Sequence, residues 1–578
     1  MILGVHPVDF AIVMTYFAVI LYVGVFHGGR RTKTLGDFFV AGGKWGALIS
    51  FIFVFASAVA GNEAVVVGGQ AYKGGLSGVW LWWNFLFATP IYYLFATYFR
   101  RARVYNLAEF FEMRYGRGAS ALYSAVAGVI CILFIGMFLL AISKILVGLT
   151  TLSLPQCIVV ITLIVGAYVF AGGMMSTLLT DVLQGLMCLF ILSFIMLPFL
   201  WIHAGGWPAL QALPKETWNL TSPNLTLWKV LSLNTSALVG GIAAPWIYNW
   251  IAVSRSERAA TQCGWGHLWK RIITLLFALY GILFAIYKPG LADPELAWGA
   301  VMKEILPWGV LGLLIASFFA AVMSSAATYA TTSSAMVIDY FYRKVLNPGR
   351  PLPHYLLSAR FWAFFSVVIA AATTQGVGSI KRYVDITMAL LSFLGIPIYF
   401  GVWWKRSNRA GMWASLVLGI ASYLTIMVFL PDTFPLFCFT EARNILGVFI
   451  PTALALLGMI VGCLVGSPED PLKIKRFHVI LNTPIGREAR LVEAGIVLPQ
   501  LVDMKLVENK PERLNPEVLG RLYDEDCRDK FFGPDSTIEL RREPTLPWYF
   551  LGFFRITAMC VALVAGTWLL TRLLFVWQ

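Results

Sequence analysis

The sequence predicts an all-α protein that crosses a bilayer many times, with about fourteen spanning helices. Three observations carry this. Of 578 residues, 59% are hydrophobic and only 13% are charged, with a mean hydropathy of +0.75, a composition that excludes a soluble enzyme. Apolar runs of about 20 residues, the length a helix needs to span the hydrocarbon layer, recur between short polar loops. Lys and Arg are concentrated in every second loop, as expected of loops that face the cytoplasm.

In chain order the runs occupy 8–28, 47–70, 77–99, 119–148, 153–173, 178–203, 231–253, 269–288, 305–340, 356–376, 380–404, 410–430, 444–466 and 547–576. Arg30, Arg31 and Lys33 follow the first run, and Arg100, Arg101 and Arg103 the third. Arg255, Arg258, Lys270 and Arg271 follow the seventh, Arg343, Lys344 and Arg350 the ninth, and Lys405, Arg406 and Arg409 the eleventh. If every run spans, all these loops share one side. Both termini are then expected outside a cell membrane (inner or plasma), and the net charge of +14 needs no nucleic acid to explain it. The first run follows an N-terminal stretch without basic residues and lacks a convincing cleavage site, so it reads as a retained helix. The eight cysteines form no CxxC pair and read as packing residues.

Two polar stretches stand apart. Residues 106–116 form a short amphipathic segment expected at the cytoplasmic interface. Residues 467–546, proline-punctuated and holding His478 and Cys527, are expected to be a partly ordered cytoplasmic linker more than a regulatory subdomain. The chain thus divides into an extra helix and loop (1–46), five runs (47–203), an outer loop (204–230), five more runs (231–404), two additional helices (405–466), the cytoplasmic segment (467–546) and a last helix (547–578).

The second run places Gly61, Asn62 and Glu63 together near mid-membrane, followed by Gly68 and Gly69. The seventh carries Gly240, Gly241, Pro245, Trp246 and Asn249. Interruptions in the first helices of two five-run halves of opposite orientation point to a transporter built from inverted repeats, with its site at the breaks. Glycine and proline are frequent in membrane helices, so the weight lies on the matched positions.

Residues Ile305 to Ile338 contain no charge, yet Ser324, Ser325 and Thr328 lie within about one helical turn. Such grouped hydroxyls suit a small hard cation such as Na⁺. They also suit close helix packing, with each hydroxyl bonded back to its own helix. A charge inside a span costs about 2.5–3.5 kcal/mol, so Glu63 and Asp181 need partners. Asp181 either faces those hydroxyls or is an interfacial acid beside the short turn preceding it. An ionised Glu63 at the break favours cationic or hydroxyl-rich solutes over simple anions, unless it pairs with a basic residue or stays protonated. Asn62, Glu63, Trp246 and Asn249 are the candidate solute contacts, with Asp385 either a weaker one or simply exposed. No HExxH, no GxSxG and no histidine deep in a run is present, so no catalytic residues are assigned, and the GGK at 42–44 lacks phosphate-loop spacing.

Several stretches together carry a resemblance. They are Asp37-Phe38-Phe39-Val40-Ala41-Gly42-Gly43, Leu107 to Gly116 (LAEFFEMRYG), and the Tyr168 to Gln184 signature with Gly172, Gly173, Thr180 and Asp181. Ala320-Ala321-x-x-Ser324-Ser325 followed by Asp339, and Trp404-Lys405-Arg406-x-Asn408-x-x-Gly411, complete them. In this order the chain resembles the sodium:solute symporter family over about 8–466. Phe341 departs from it, standing where the family usually has tyrosine.

The resemblance implies a leucine-transporter-type five-plus-five inverted repeat and import of a small organic solute coupled to Na⁺ across the bilayer, with no obligate protein partner. It also implies a sodium ion held by carbonyls of Ala56, Val59 and Ala321 and hydroxyls of Ser324 and Ser325. A second sodium, where members bind one, would use Asp181, Ser324 and Thr328. Ala327 leaves that set one hydroxyl short, so one tightly coupled sodium is expected. Pro245 stands where the sugar branch has a stacking aromatic, so the solute is left open. A transporter-like membrane sensor, or a transporter coupled to another cation, is the competing reading.

Overall fold

The computed structural model describes residues 3–24, 30, 32–58, 61–430, 441–526 and 546–576. Among them eleven helices are long and apolar enough to cross a bilayer, or thirteen when each of two bent pairs counts as one span. We label α1 Pro7–Leu21, α2 Ala47–Ala58, α3 Gly61–Gly74, α4 Thr89–Ala102, α5 Arg117–Leu149, α6 Leu154–Gly172 and α7 Met174–Phe190. The second part holds α8 Leu227–Gly240, α9 Pro245–Ala252, α10 Gln262–Tyr287, α11 Val310–Ser334, α12 Leu352–Val377, α13 Ile380–Leu391 and α14 Ile396–Trp403. Then come α15 Arg409–Phe429, α16 Ala442–Val465, α17 Pro471–Asn482, α18 Pro516–Asp526 and α19 Leu546–Thr571.

The two bends fall where glycine and proline predict them. Ala47–Ser57 and Gly61–Trp83 meet at 48°, and Leu227–Ala243 meets Pro245–Ala252 at 52°. Proline suits the first turn of α9 because it lacks the N–H that a helix start leaves unused. Matched bends opening two five-helix units are the mark of the leucine-transporter architecture.

Three expectations need correction. The predicted span 77–99 is not one continuous helix: α3 ends at Gly74, the chain turns at Gly75 (φ +65°) into a 3-10 turn and the short helix Trp80–Trp83, and a further turn at 84–88 separates these from α4, which restarts at Thr89-Pro90. Among the described residues the spans thus number eleven, or thirteen with the bent pairs, against the roughly fourteen expected. The eighth span begins much earlier than residue 269. α10 starts at Gln262, so His267, Lys270 and Arg271 lie buried inside it, not in a basic loop. Finally, residues 467–526 are no linker. α17, α18 and the short helices between them bury Phe477, Leu481, Leu491, Ile496 and Leu501 against the end of the bundle that carries Arg100–Arg103.

That packing explains the amphipathic segment as well. Leu107–Tyr115 forms a helix capped by Asn106, whose Oδ1 accepts from Glu109 N–H at 3.1 Å. Phe110 meets Phe477 of α17 edge-on, with centroids 5.3 Å apart, so the segment is covered by protein. The basic residues at this end are tied into the same layer. Arg103 donates to Glu488 at 3.0 Å and to the Pro484 carbonyl at 2.7 Å, and Arg101 to Glu257 at 2.8 Å. Burial pulls the Arg103 guanidinium down to about 10, with the Glu488 carboxylate partly offsetting it.

Candidate functional site

The break between α2 and α3 is pressed between α7 and α11. At Gly185 of α7 a side chain would collide with Ala56, so only glycine lets α7 approach the end of α2. At Gly61 a Cβ would lie 3.2 Å from Val322 and 3.6 Å from Ala321 of α11. Ala56 thus abuts α7, and Gly61, on the far side of the break, abuts Ala321 of α11. Val59, the other carbonyl expected here, lies outside the described residues.

Polar atoms accumulate around this point. Ser57 Oγ donates to Asp181 Oδ2 at 2.6 Å, while Ser325 Oγ donates to the Ala321 carbonyl at 3.0 Å. Asp181 Oδ1, Ser324 Oγ and Thr328 Oγ1 are all buried; Thr328 Oγ1 has no hydrogen-bond partner, and Asp181 Oδ1 and Ser324 Oγ have only each other within reach. Back-bonding to the helix does occur on α11, but at Ser325, Thr331 and Thr332, not at Ser324 or Thr328. A buried oxygen with no donor is costly, so this set fits a cation that the oxygens would ligate. Asp181 is fully buried.

Beside these oxygens a cavity of ≈ 30 Å³ opens, with Ser57 and Ser325 on its wall. The remainder is mainly aromatic: Trp82, Phe85, Phe134, Phe138, Trp246, Trp250 and Tyr329, with His267 and Arg271 at one side. Trp246 packs on Phe134 and Tyr329 with centroids 4.6 Å apart in both pairs. The space is about that of one water, so any organic solute requires these rings to part.

The other expected solute contacts lie elsewhere. Glu63 is fully buried, ion-paired with Lys270 and accepting from Thr274 Oγ1 at 2.5 Å. Its charge is cancelled within the helix pair α3–α10, which touch so closely at Gly68 and Gly281 that a Cβ on Gly281 would collide with the Gly68 carbonyl. The ranking that set cations above anions loses its basis. Asn249 Nδ2 donates to Thr332 Oγ1 at 2.5 Å, leaving Oδ1 unpaired. Asn62 is fully buried with both side-chain polar atoms unpaired. Asp385 is neither exposed nor at the cavity: Lys229 holds it at 2.7 Å and Lys381 at 3.4 Å.

The comparisons with known proteins bear on this arrangement. The model of the sodium:solute symporter family matches residues 38–419. The chain belongs to this family. Sodium/glucose cotransporter 1 of Oryctolagus cuniculus is 22% identical over 73% of this chain and 72% of its own length. The sodium/proline symporter of Staphylococcus aureus (strain bovine RF122 / ET3-1) is 23% identical over 71% and 84%, respectively. Among solved structures, a Na⁺-coupled sialic acid symporter in a substrate-bound outward-open state superposes with TM-score 0.66 at 18% identity, covering 80% of this chain and 99% of that one. Mhp1, a nucleobase-cation-symport-1 family transporter, gives 0.53 at 13%, covering 77% and 98%. The protein is a multi-pass membrane symporter that couples sodium to a small organic solute, and its work is transport, not catalysis.

Sequence reasoning missed several residues on this symporter's cavity wall, above all His267, Arg271 and Trp250. A window that avoids charges starts the eighth span at residue 269. The usable signal was Glu63 itself, which required a buried basic partner and so a helix carrying Lys270 inward.

Proposed function

We propose that Na⁺ binds where the α2–α3 break meets α7 and α11, and that its binding closes the cavity around the solute. The Ala56, Val59 and Ala321 carbonyls with the Ser324 and Ser325 hydroxyls form one site. Asp181, Ser324 and Thr328 form a second. Ser57, already bonded to Asp181, supplies the hydroxyl that Ala327 lacks. The under-satisfied buried oxygens of Asp181, Ser324 and Thr328 carry this reading, and they favour a working second site over the single sodium expected from Ala327.

The mechanism is alternating access. Sodium draws together three helices that otherwise expose unpaired oxygens to each other, and the loaded bundle rocks about the break. The end bearing Arg100–Arg103 and residues 467–526 faces the cytoplasm, as its basic residues favour. Each net positive charge entering through 100 mV contributes about 2.3 kcal/mol, which supports roughly fiftyfold accumulation.

The test is sodium-dependent uptake in proteoliposomes by Ser324→Ala and Ser325→Ala. Removing an oxygen from a dehydrated cation should raise half-saturating Na⁺ about tenfold or abolish uptake (about 1.4 kcal/mol per decade). Unchanged sodium dependence in both variants overturns the assignment.

A further inference from the structure

Arg271 is only 2% exposed and sits on the cavity wall. Its Nη1 donates to the Trp82 carbonyl at 2.7 Å and its Nη2 to His267 Nε2, while its Nε–H has no partner. Thr89 fixes the histidine. Thr89 Oγ1 donates to the Phe85 carbonyl at 3.1 Å, so it accepts from His267 Nδ1–H at 2.8 Å. The tautomer follows: Nδ1 carries the proton, and Nε2 offers its lone pair to Arg271. His267 therefore orients the guanidinium without neutralising it.

No carboxylate among the described residues forms an ion pair with Arg271. Glu63 is taken by Lys270 and Thr274, and Asp181 by Ser57 at the sodium side. Trp250 Nε1–H, on the same cavity wall, is a second buried donor without an acceptor. One side of the cavity thus offers an uncompensated positive charge and unused donors, while the oxygens awaiting a cation lie beside Ser57 and Ser325. A guanidinium keeps its charge when buried, and in a membrane interior it needs partners. Arg271 has the Trp82 carbonyl, the His267 ring and the Phe85 face at 5.8 Å, but no anion, and its Nε–H is left over.

We propose that the solute is a small monocarboxylate with an apolar body. Its carboxylate binds Arg271 Nε–H and Trp250 Nε1–H, and its body lies against Trp246, Tyr329 and Phe134. A neutral polyol leaves the charge on Arg271 uncompensated, and a cation doubles it. A zwitterion brings an ammonium group, whereas Glu63 is taken by Lys270 and Asp181 is reserved for sodium in the reading above. His267 is a positioning residue in this scheme. The proposal rests on the symporter reading above for the identity of the cavity.

The experiment is thermal unfolding of the purified full chain in sodium or potassium sulfate, with propionate, proline, glucose or choline added to each. Propionate should raise the midpoint in sodium, and the other three solutes should not. Arg271→Gln should weaken the propionate effect at least tenfold while the response to sodium alone persists. His267→Ala should weaken it severalfold, and His267→Gln, which restores an acceptor, should recover most of it. Stabilisation by glucose or proline but by no monocarboxylate overturns the proposal, as does an unchanged propionate response in Arg271→Gln. Should that variant fail to fold, the solute series on the unaltered chain decides alone. A propionate response without any sodium response would sustain the anion site and overturn the sodium reading instead.

Discussion

Replacing Lys270 by Met removes the only ionic partner of Glu63 seen among the described residues, leaving a fully buried carboxylate supported by Thr274 Oγ1 at 2.5 Å. Breaking a buried pair from one side costs about 3–5 kcal/mol, because a bare charge remains in a medium that solvates it poorly. Glu63→Gln leaves the Lys270 ammonium in the same position, with a cation–π contact to Trp82 at 5.7 Å as its remaining support, so a similar loss is expected. The double variant returns the helix pair to neutrality and should recover to within about 1–2 kcal/mol of the parent. The coupling between the two sites is then at least about 4 kcal/mol, far beyond the near-additivity of independent positions. Equilibrium unfolding of the four proteins in mixed micelles reads this directly. Additive losses, or a Glu63→Gln protein of unaltered stability whose solute preference shifts, would refute the argument and return Glu63 to the solute.

Asp181→Asn keeps the bond to Ser57 possible but removes the charge, so sodium activation should lose cooperativity and the flux ratio should fall from two sodium ions per solute to one; a ratio of one in the unaltered protein discards the second site. Gly185→Val puts a branched side chain where even one carbon meets Ala56, and uptake should vanish while the protein still reaches the membrane; normal uptake would show that α7 need not approach the break. In α17, burial beside Arg114 and Lys405 pulls His478 down to about 3. Below its usual value near 6.5 the unfolded state binds the proton that the folded state refuses, so stability is present above pH 6.5 and is lost as pH falls towards 3. At pH 5 the loss is about 2 kcal/mol. Limited proteolysis of residues 467–526 should accelerate between pH 7.5 and 5 and lose that dependence in His478→Gln, whereas a flat rate contradicts the assignment.

Much of this was readable along the chain. Spans reveal themselves because burying about 20 apolar residues is a local sum, and the two breaks because glycine and proline act on their own backbone. Ser324, Thr328 and Asp181 stood out since an oxygen inside a span has a cost wherever its partner lies. Partnership itself is different, because it joins residues far apart in sequence. Glu63 plainly needed a partner, but only the fold shows that it is Lys270, 207 residues later. Lys270 and Arg271 looked like a loop because hydropathy treats a charge as a boundary, although a paired charge is tolerated within a helix. Asp385 looked exposed for the same reason, and residues 467–526 like a linker, since their apolar side chains are too sparse to form a core without the end of the bundle. A lone guanidinium beside a cavity is visible only after every carboxylate has been assigned its partner in space.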